Sequence, residues 1–143
     1  AAAEAARALK NDFVLTARAE NFLHGRTDFD DTVKRLQAFE KAGADVLFAP
    51  GISDLEQIRT LCAAITKPVS VLAPAPLTVA ELAVAGVRRI SLGSRLTSAA
   101  FGALREAARE VLDKGAFDLA AAGMPYESCN GSFPETATRK RDA

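Results

Sequence analysis

Arg18 and Glu20 follow directly on a short apolar run, Phe13-Val14-Leu15-Thr16-Ala17, and no other stretch combines so clear a strand with two charges at its exit. A run this rich in Val, Leu and Phe reads as a strand buried on both faces. In α/β folds, chemistry gathers at the carboxyl ends of such strands. The planar guanidinium of Arg18 suits a bidentate grip on a carboxylate. The competing reading is a structural Arg18–Glu20 pair or a helix cap. Glu20 would orient Arg18 or a metal-bound water. His24, the single histidine, sits in a loop beside Gly25. It is a candidate general acid or base, against the plainer reading of a solvated loop side chain. Gly93-Ser94 opens a helix after a later strand. Free backbone N–H groups there suit a phosphate or carboxylate, and the alternative is ordinary capping by Ser94.

These residues need elements to position them, and the chain supplies a regular alternation. Ala1–Leu9 is helical by propensity, and Asn11-Asp12 breaks it before a first strand over Phe13–Ala17. A loop with Gly25 follows. Thr27 and Asp30 resemble a capping box for a helix over Phe29–Lys41, with Phe29, Val33, Leu36 and Phe39 or Glu40 at helical spacing and Gly43 as C-cap. Asp45–Ala49 is the second strand. Ser53 and Glu56 cap a helix running to about Ile65, with Leu55, Ile58, Leu61 and Cys62 inward. Val69–Ala73 is the third strand, ended by Pro74 and Pro76. Thr78 and Glu81 cap a short helix to Ala85, and Val87–Leu92 is the fourth strand. Arg88-Arg89 lies at its start, on the stability face, and reads as structural. A long helix then runs from Gly93-Ser94 to Lys114, with Leu96, Ala100, Leu104, Ala107, Val111 and Leu112 on its apolar face. Ala116–Ala122 fits one more short helix. The rest, with the basic Arg139-Lys140-Arg141, reads as a solvated, poorly ordered tail.

Strands near 13, 45, 69 and 87, each followed by a helix, predict parallel β/α units with right-handed crossovers. Either a four-stranded open sheet or half of a (β/α)₈ barrel satisfies this pattern, since a full barrel takes about 250 residues and the chain has 143. The expected division is a half barrel over 1–115 and a C-terminal helix with a flexible tail over 116–143. Lys and Arg together number 18 and balance 18 Asp and Glu, so nothing electrostatic points to nucleic acid or an anionic membrane. No apolar run approaches the roughly 20 residues of a membrane span. Ala1–Lys10 carries Glu4 and no basic region before an apolar core, unlike a secretion signal. It reads as the end of an alanine-rich helix. Cys62 and Cys129 match no metal or redox spacing and read as reduced thiols of a cytoplasmic protein, with Cys62 an inert core group.

Four stretches carry a resemblance. The run Ala17-Arg18-Ala19-Glu20-Asn21-Phe22-Leu23-His24-Gly25-Arg26 resembles the strand end of the isocitrate lyase and phosphoenolpyruvate mutase superfamily. So do the runs Leu36 to Gly51, Lys67 to Ala73 and Leu82 to Ser94. The likeness runs in order from about residue 5 to 133. It implies the C-terminal half of a TIM (β/α)₈ barrel, strands five to eight, from the end of helix four through helix eight. It implies a Mg²⁺-dependent lyase or mutase acting on C–C or P–C bonds of α-keto acid or related carboxylate substrates through an enolate. Arg18 matches the family's carboxylate-binding Arg, with Glu20, Gly93 and Ser94 as further substrate-binding candidates and His24 as a possible catalytic group. Metal ligands belong to the N-terminal half in this family, so none is expected in this chain. No Lys-x-Cys gating motif occurs in the sequence, so the resemblance implies activity for the full-length enzyme and the chain alone is expected to be inactive. The partners implied are a small carboxylate substrate, the N-terminal half barrel, and further copies in a homo-dimer or homo-tetramer that exchanges a C-terminal helix.

There are departures from the lyases proper. They carry a Glu where Ala49-Pro50-Gly51 stands here, and an Asn where this chain has Ala73-Pro74. That points away from tricarboxylate binding in the isocitrate manner and towards a mutase/lyase-like branch. The competing class is a non-catalytic α/β binding or interaction module.

Overall fold

Four short apolar runs pair into one parallel sheet: β1 (Thr16–Arg18), β2 (Val46–Phe48), β3 (Val69–Leu72) and β4 (Arg89–Ser91), in the spatial order β1-β2-β3-β4. The structure is a computed structural model and describes residues 1–118 and 123–133. Helices fill the connections: α2 (Phe29–Lys41) after β1, α3 (Leu55–Ala63) after β2 and α4 (Val79–Val84) after β3, while α1 (Ala2–Arg7) precedes the sheet. All three strand pairs are parallel, as the β/α alternation predicts. The chain divides into two compact units, Ala1–Ser94 and the residues from Arg95 on.

The first unit is held by one core. Leu36 from α2, Ile58 and Leu61 from α3 and Leu82 from α4 meet Leu47, Val69 and Val71 of the sheet. All are 0–2% exposed, and each such side chain contributes roughly 1.5–3 kcal/mol by leaving water. Phe29, Val33 and Phe39 pack against the same cluster, so the helical periodicity of α2 is the periodicity of its contacts. Cys62 is half-buried, and burial pushes its thiol up, opposed by a smaller pull from Arg88.

Three expectations need correction. β1 starts at Thr16, not Phe13, and it is not buried on both faces. Phe13 and Val14 are 49% and 64% exposed. The reason is register: β1 pairs only with β2, and the last partner it finds is Asp45. The Leu15 N–H donates to Asp45 Oδ2 at 2.8 Å and the Leu15 carbonyl accepts from Asp45 N–H at 2.9 Å. Among the described residues, nothing pairs with the strand before Leu15. The second correction concerns caps. Asp28, not Thr27, caps α2 by accepting from Asp31 N–H at 2.9 Å. Asp54, not Ser53, caps α3 by accepting from Gln57 N–H at 2.8 Å. The reciprocal Thr78–Glu81 box of α4 is present as expected. Third, α3 ends at Ala63, not Ile65.

The second unit holds α5 (Arg95–Arg109), a π-helical turn over Glu110–Lys114 and α6 (Tyr126–Gly131). Gly115, at φ 61°, closes the long helical run. Leu96, Leu104 and Leu112 of its apolar face are 62–81% exposed. Of the short helix expected over Ala116–Ala122, Ala116 and Phe117 are not helical. Residues 119–122 and the Arg139-Lys140-Arg141 stretch lie outside the described residues. No helix among the described residues is long and apolar enough to cross a membrane.

Four carboxylates of the first unit are held below the usual range, each by donors the fold supplies. Asp31 takes the Arg35 guanidinium, Glu40 the Thr66 hydroxyl, Asp45 the Arg7 guanidinium and Glu81 the Thr78 N–H. A carboxylate whose folded value is lowered adds stability above its ordinary pKa of about 4, and that stability is lost as pH falls through the folded value. Urea midpoints of this unit should therefore fall between about pH 5 and pH 2. Asp45→Asn should flatten part of that slope. A midpoint independent of pH across this window would remove these pairs as a source of stability.

Candidate functional site

The last residue of β1 is Arg18, and the chain beyond it makes a tight loop. Phe22–His24 is a single 3₁₀ turn, and Gly25, at φ 72°, lets it close. The His24 N–H reaches the Asn21 carbonyl at 3.1 Å, Gly25 N–H the Phe22 carbonyl at 3.2 Å, and Arg26 N–H the Asn21 carbonyl at 2.8 Å. The loop is also seated against the next one. Gly51, after β2, packs so closely that a Cβ there would lie 2.9 Å from Phe22 Cβ. Asn21 is 9% exposed, and its amide donates to Asp31 Oδ2 at 2.7 Å. Asp31, in the first turn of α2, also accepts from Arg35 Nε at 2.6 Å.

These contacts bring Arg18, Glu20, Asn21, His24, Arg26 and Arg35 around one cavity of about 380 Å³ at the carboxyl end of β1. Three of the five residues expected from sequence line this one cavity: Arg18, Glu20 and His24. Arg18 Nε pairs with Glu20 Oε1 at 2.7 Å, and the guanidinium lies over the Phe48 ring at 5.0 Å from its centroid. Both partners are near half exposure, so the pair is open to a ligand. The other two expected residues stand elsewhere. Gly93 and Ser94 follow β4, at the opposite edge of the sheet from β1. The Gly93 N–H donates to Ser91 Oγ at 3.3 Å.

Sequence reasoning missed Arg26, Arg35 and Asn21. Arg26 was visible only as the last residue of the Ala17–Arg26 run. Arg35 carried one signal, its spacing of four from Asp31 on a helix. Arg89, read as structural, donates to the buried Ser70 Oγ at 3.1 Å.

Among the described residues, no three His, Cys, Asp or Glu side chains come together as ligands would. The single carboxylate lining the cavity, Glu20, is engaged by Arg18. A hard cation such as Mg²⁺ asks for several oxygen ligands, and these residues alone do not supply them. What the arrangement offers chemically is the forked cation of Arg18 beside that of Arg26, which among the described residues makes no ion pair, a combination suited to binding an anion.

Known proteins agree with this architecture. A sequence profile of the family named Phosphoenolpyruvate phosphomutase matches residues 1–112. A crystal structure from Burkholderia cenocepacia, provisionally named a lyase/mutase, superposes with a TM-score of 0.87 at 46% identity, over 94% of this chain and 50% of that one. A phosphonopyruvate hydrolase complex with oxalate and Mg²⁺ superposes with a TM-score of 0.71 at 27% identity, over 90% of this chain and 48% of that one. Among curated relatives, an uncharacterised protein of Mycobacterium tuberculosis is 36% identical over 100 residues, 69% of this chain and 39% of that protein. Oxaloacetate decarboxylase 2 of Pseudomonas fluorescens is 32% identical over 109 residues, 74% of this chain and 37% of that protein. The chain thus spans about two fifths of these curated relatives and half of the solved chains. With the parallel β/α order and the family profile in agreement, the chain belongs to the phosphoenolpyruvate phosphomutase family, within the phosphoenolpyruvate mutase/isocitrate lyase superfamily.

Proposed function

We propose that this chain is the carboxyl-terminal half, strands five to eight, of a (β/α)₈ lyase or mutase, and that its Arg18 cavity binds the carboxylate of a 2-oxo acid. The observation that carries this reading is the Arg18 guanidinium at the end of a parallel strand, half exposed and lining a cavity on a hydrogen-bonded loop. The names of the relatives support it: one is an oxaloacetate decarboxylase, and another holds oxalate. In the complete protein Mg²⁺ would draw its ligands from residues outside this chain and would polarise the 2-oxo group.

The part of this chain in such a reaction is electrostatic. When the bond from C3, the carbon beside the 2-oxo carbonyl, to the leaving carboxylate or phosphonate breaks, its electron pair passes through C3 into the carbonyl as an enolate, and the leaving group departs as carbon dioxide or, with water, as phosphate. Arg18 orients the adjoining carboxylate so that the breaking bond lies in register with that carbonyl. A preorganised cation in a pocket lowers the cost of the developing charge. Glu20 fixes the guanidinium plane through the 2.7 Å pair. His24, on the neighbouring turn, is the side chain within this cavity suited to returning a proton to the enolate carbon.

The test is pyruvate release by the complete protein supplied with Mg²⁺, from oxaloacetate with loss of carbon dioxide or from phosphonopyruvate with release of phosphate. Turnover of either substrate, inhibited competitively by oxalate, is expected. Absence of both turnover and oxalate binding would overturn the enzymatic reading. The second reading, a non-catalytic α/β module, would then stand.

A further inference from the structure

The cavity beside Arg18 carries more positive charge than one carboxylate requires. Arg18 is paired with Glu20 and Arg35 with Asp31. Arg26 lines the same cavity, yet among the described residues it makes no ion pair and no side-chain hydrogen bond. Its backbone, by contrast, is fixed. The Arg26 N–H is bound to the Asn21 carbonyl at 2.8 Å, and Asn21 is buried and tied through Asp31 to α2. An arginine with an anchored backbone and an uncommitted fork, facing a cavity that already holds another arginine, is placed for a second anion. The cavity, at about 380 Å³, falls within the range of small-molecule sites, roughly 300–1,000 Å³.

We propose that Arg26 is a specificity-determining residue: it anchors a second anionic group of the substrate while Arg18 holds the first, so that the site selects small dianions over monocarboxylates. The inference rests on the reading of the Arg18 cavity as the substrate site. It goes further in assigning the second anionic group to Arg26. The physical basis is a difference of affinities. A monocarboxylate satisfies the Arg18 fork and gains little from Arg26, whereas a dianion engages both guanidinium groups with charge-assisted hydrogen bonds.

The experiment is calorimetric titration of the complete protein with malonate and with acetate, a readout independent of turnover, and phosphonoacetate serves as a third probe. Arg26→Gln should weaken malonate by roughly tenfold or more, the cost of losing a hydrogen bond to a charged group, and leave acetate within about twofold. Arg26→Lys, which keeps the charge, should recover most of the malonate affinity. Arg18→Gln should weaken both probes. A larger loss for phosphonoacetate than for malonate in Arg26→Gln would identify the second anion as a phosphonate; the reverse would identify a carboxylate. Malonate binding unchanged in Arg26→Gln, or malonate and acetate weakened equally, overturns the role of Arg26 while leaving Arg18 in place. Both probes unaffected by Arg18→Gln overturns the substrate site itself, and with it the inference.

Discussion

Arg18→Ala in the complete protein should lower kcat/KM by roughly 10²-fold or more while leaving the melting temperature little changed. The expected loss follows from removing a forked, charge-assisted grip on the substrate, where truncating one partner of a charged pair costs on the order of 2–5 kcal/mol. The small effect on stability follows from what Arg18 touches in the empty fold. Its pair with Glu20 joins side chains that are 49% and 42% exposed, and such pairs contribute about 0–1 kcal/mol. Its stacking on Phe48 adds about 0.5–1 kcal/mol at an exposed site. Arg18→Lys separates charge from geometry. It keeps the cation but loses the planar fork, and should recover little of the activity. Steady-state kinetics and thermal melts on the same preparations check both halves. If Arg18→Ala lowers the melting temperature by many degrees and leaves kcat/KM of the folded fraction intact, the Arg18–Glu20 pair is structural and the site lies elsewhere.

What the sequence made legible, and what it hid, divides along the range of the interactions involved. Helix α2 was readable because Phe29, Val33, Leu36 and Phe39 repeat at helical spacing and pack on one core. Its bounds match the expectation, Phe29–Lys41. The caps were misplaced because Thr27-Asp28 and Ser53-Asp54 each set two capping side chains side by side. Which one accepts depends on where packing starts the first turn, and local pattern does not carry that. The start of β1 was missed for a similar reason: pairing with β2 begins at Asp45, a contact thirty residues away. That Arg18, Glu20 and His24 line one cavity was legible because they share one strand end and its loop. Arg26 was not, since a closed 3₁₀ turn and an αL glycine bring it back beside Arg18. The amphipathic pattern of α5 was likewise readable as a helix. That its leucines stay exposed is a matter of tertiary partners, which periodicity within one helix does not specify.

Gly51 is the position where the fold holds the site in shape, and Gly51→Ala is expected to damage both. The residue follows the buried Pro50 at the end of β2 and adopts φ +99°, a conformation that costs an L-residue roughly 1–2 kcal/mol. An added Cβ would also meet Phe22 Cβ at 2.9 Å and the Phe22 carbonyl carbon at 3.3 Å. Those atoms belong to the turn that places His24 and Arg26, and overpacking of this kind costs about 1–3 kcal/mol. Together the two effects should lower stability by about 2–5 kcal/mol. Gly25→Ala separates them. Gly25 has φ +72° but open space around a built Cβ, so it should show the backbone strain alone, about 1–2 kcal/mol. Relief of the Gly51 clash requires the Phe22–His24 turn to move, so the surviving folded Gly51→Ala protein should also bind malonate more weakly. Urea unfolding of the two variants side by side, with malonate titration of each, decides the matter. If Gly51→Ala is no less stable than Gly25→Ala and binds malonate as the parent does, the contact between the two loops is not what holds the site.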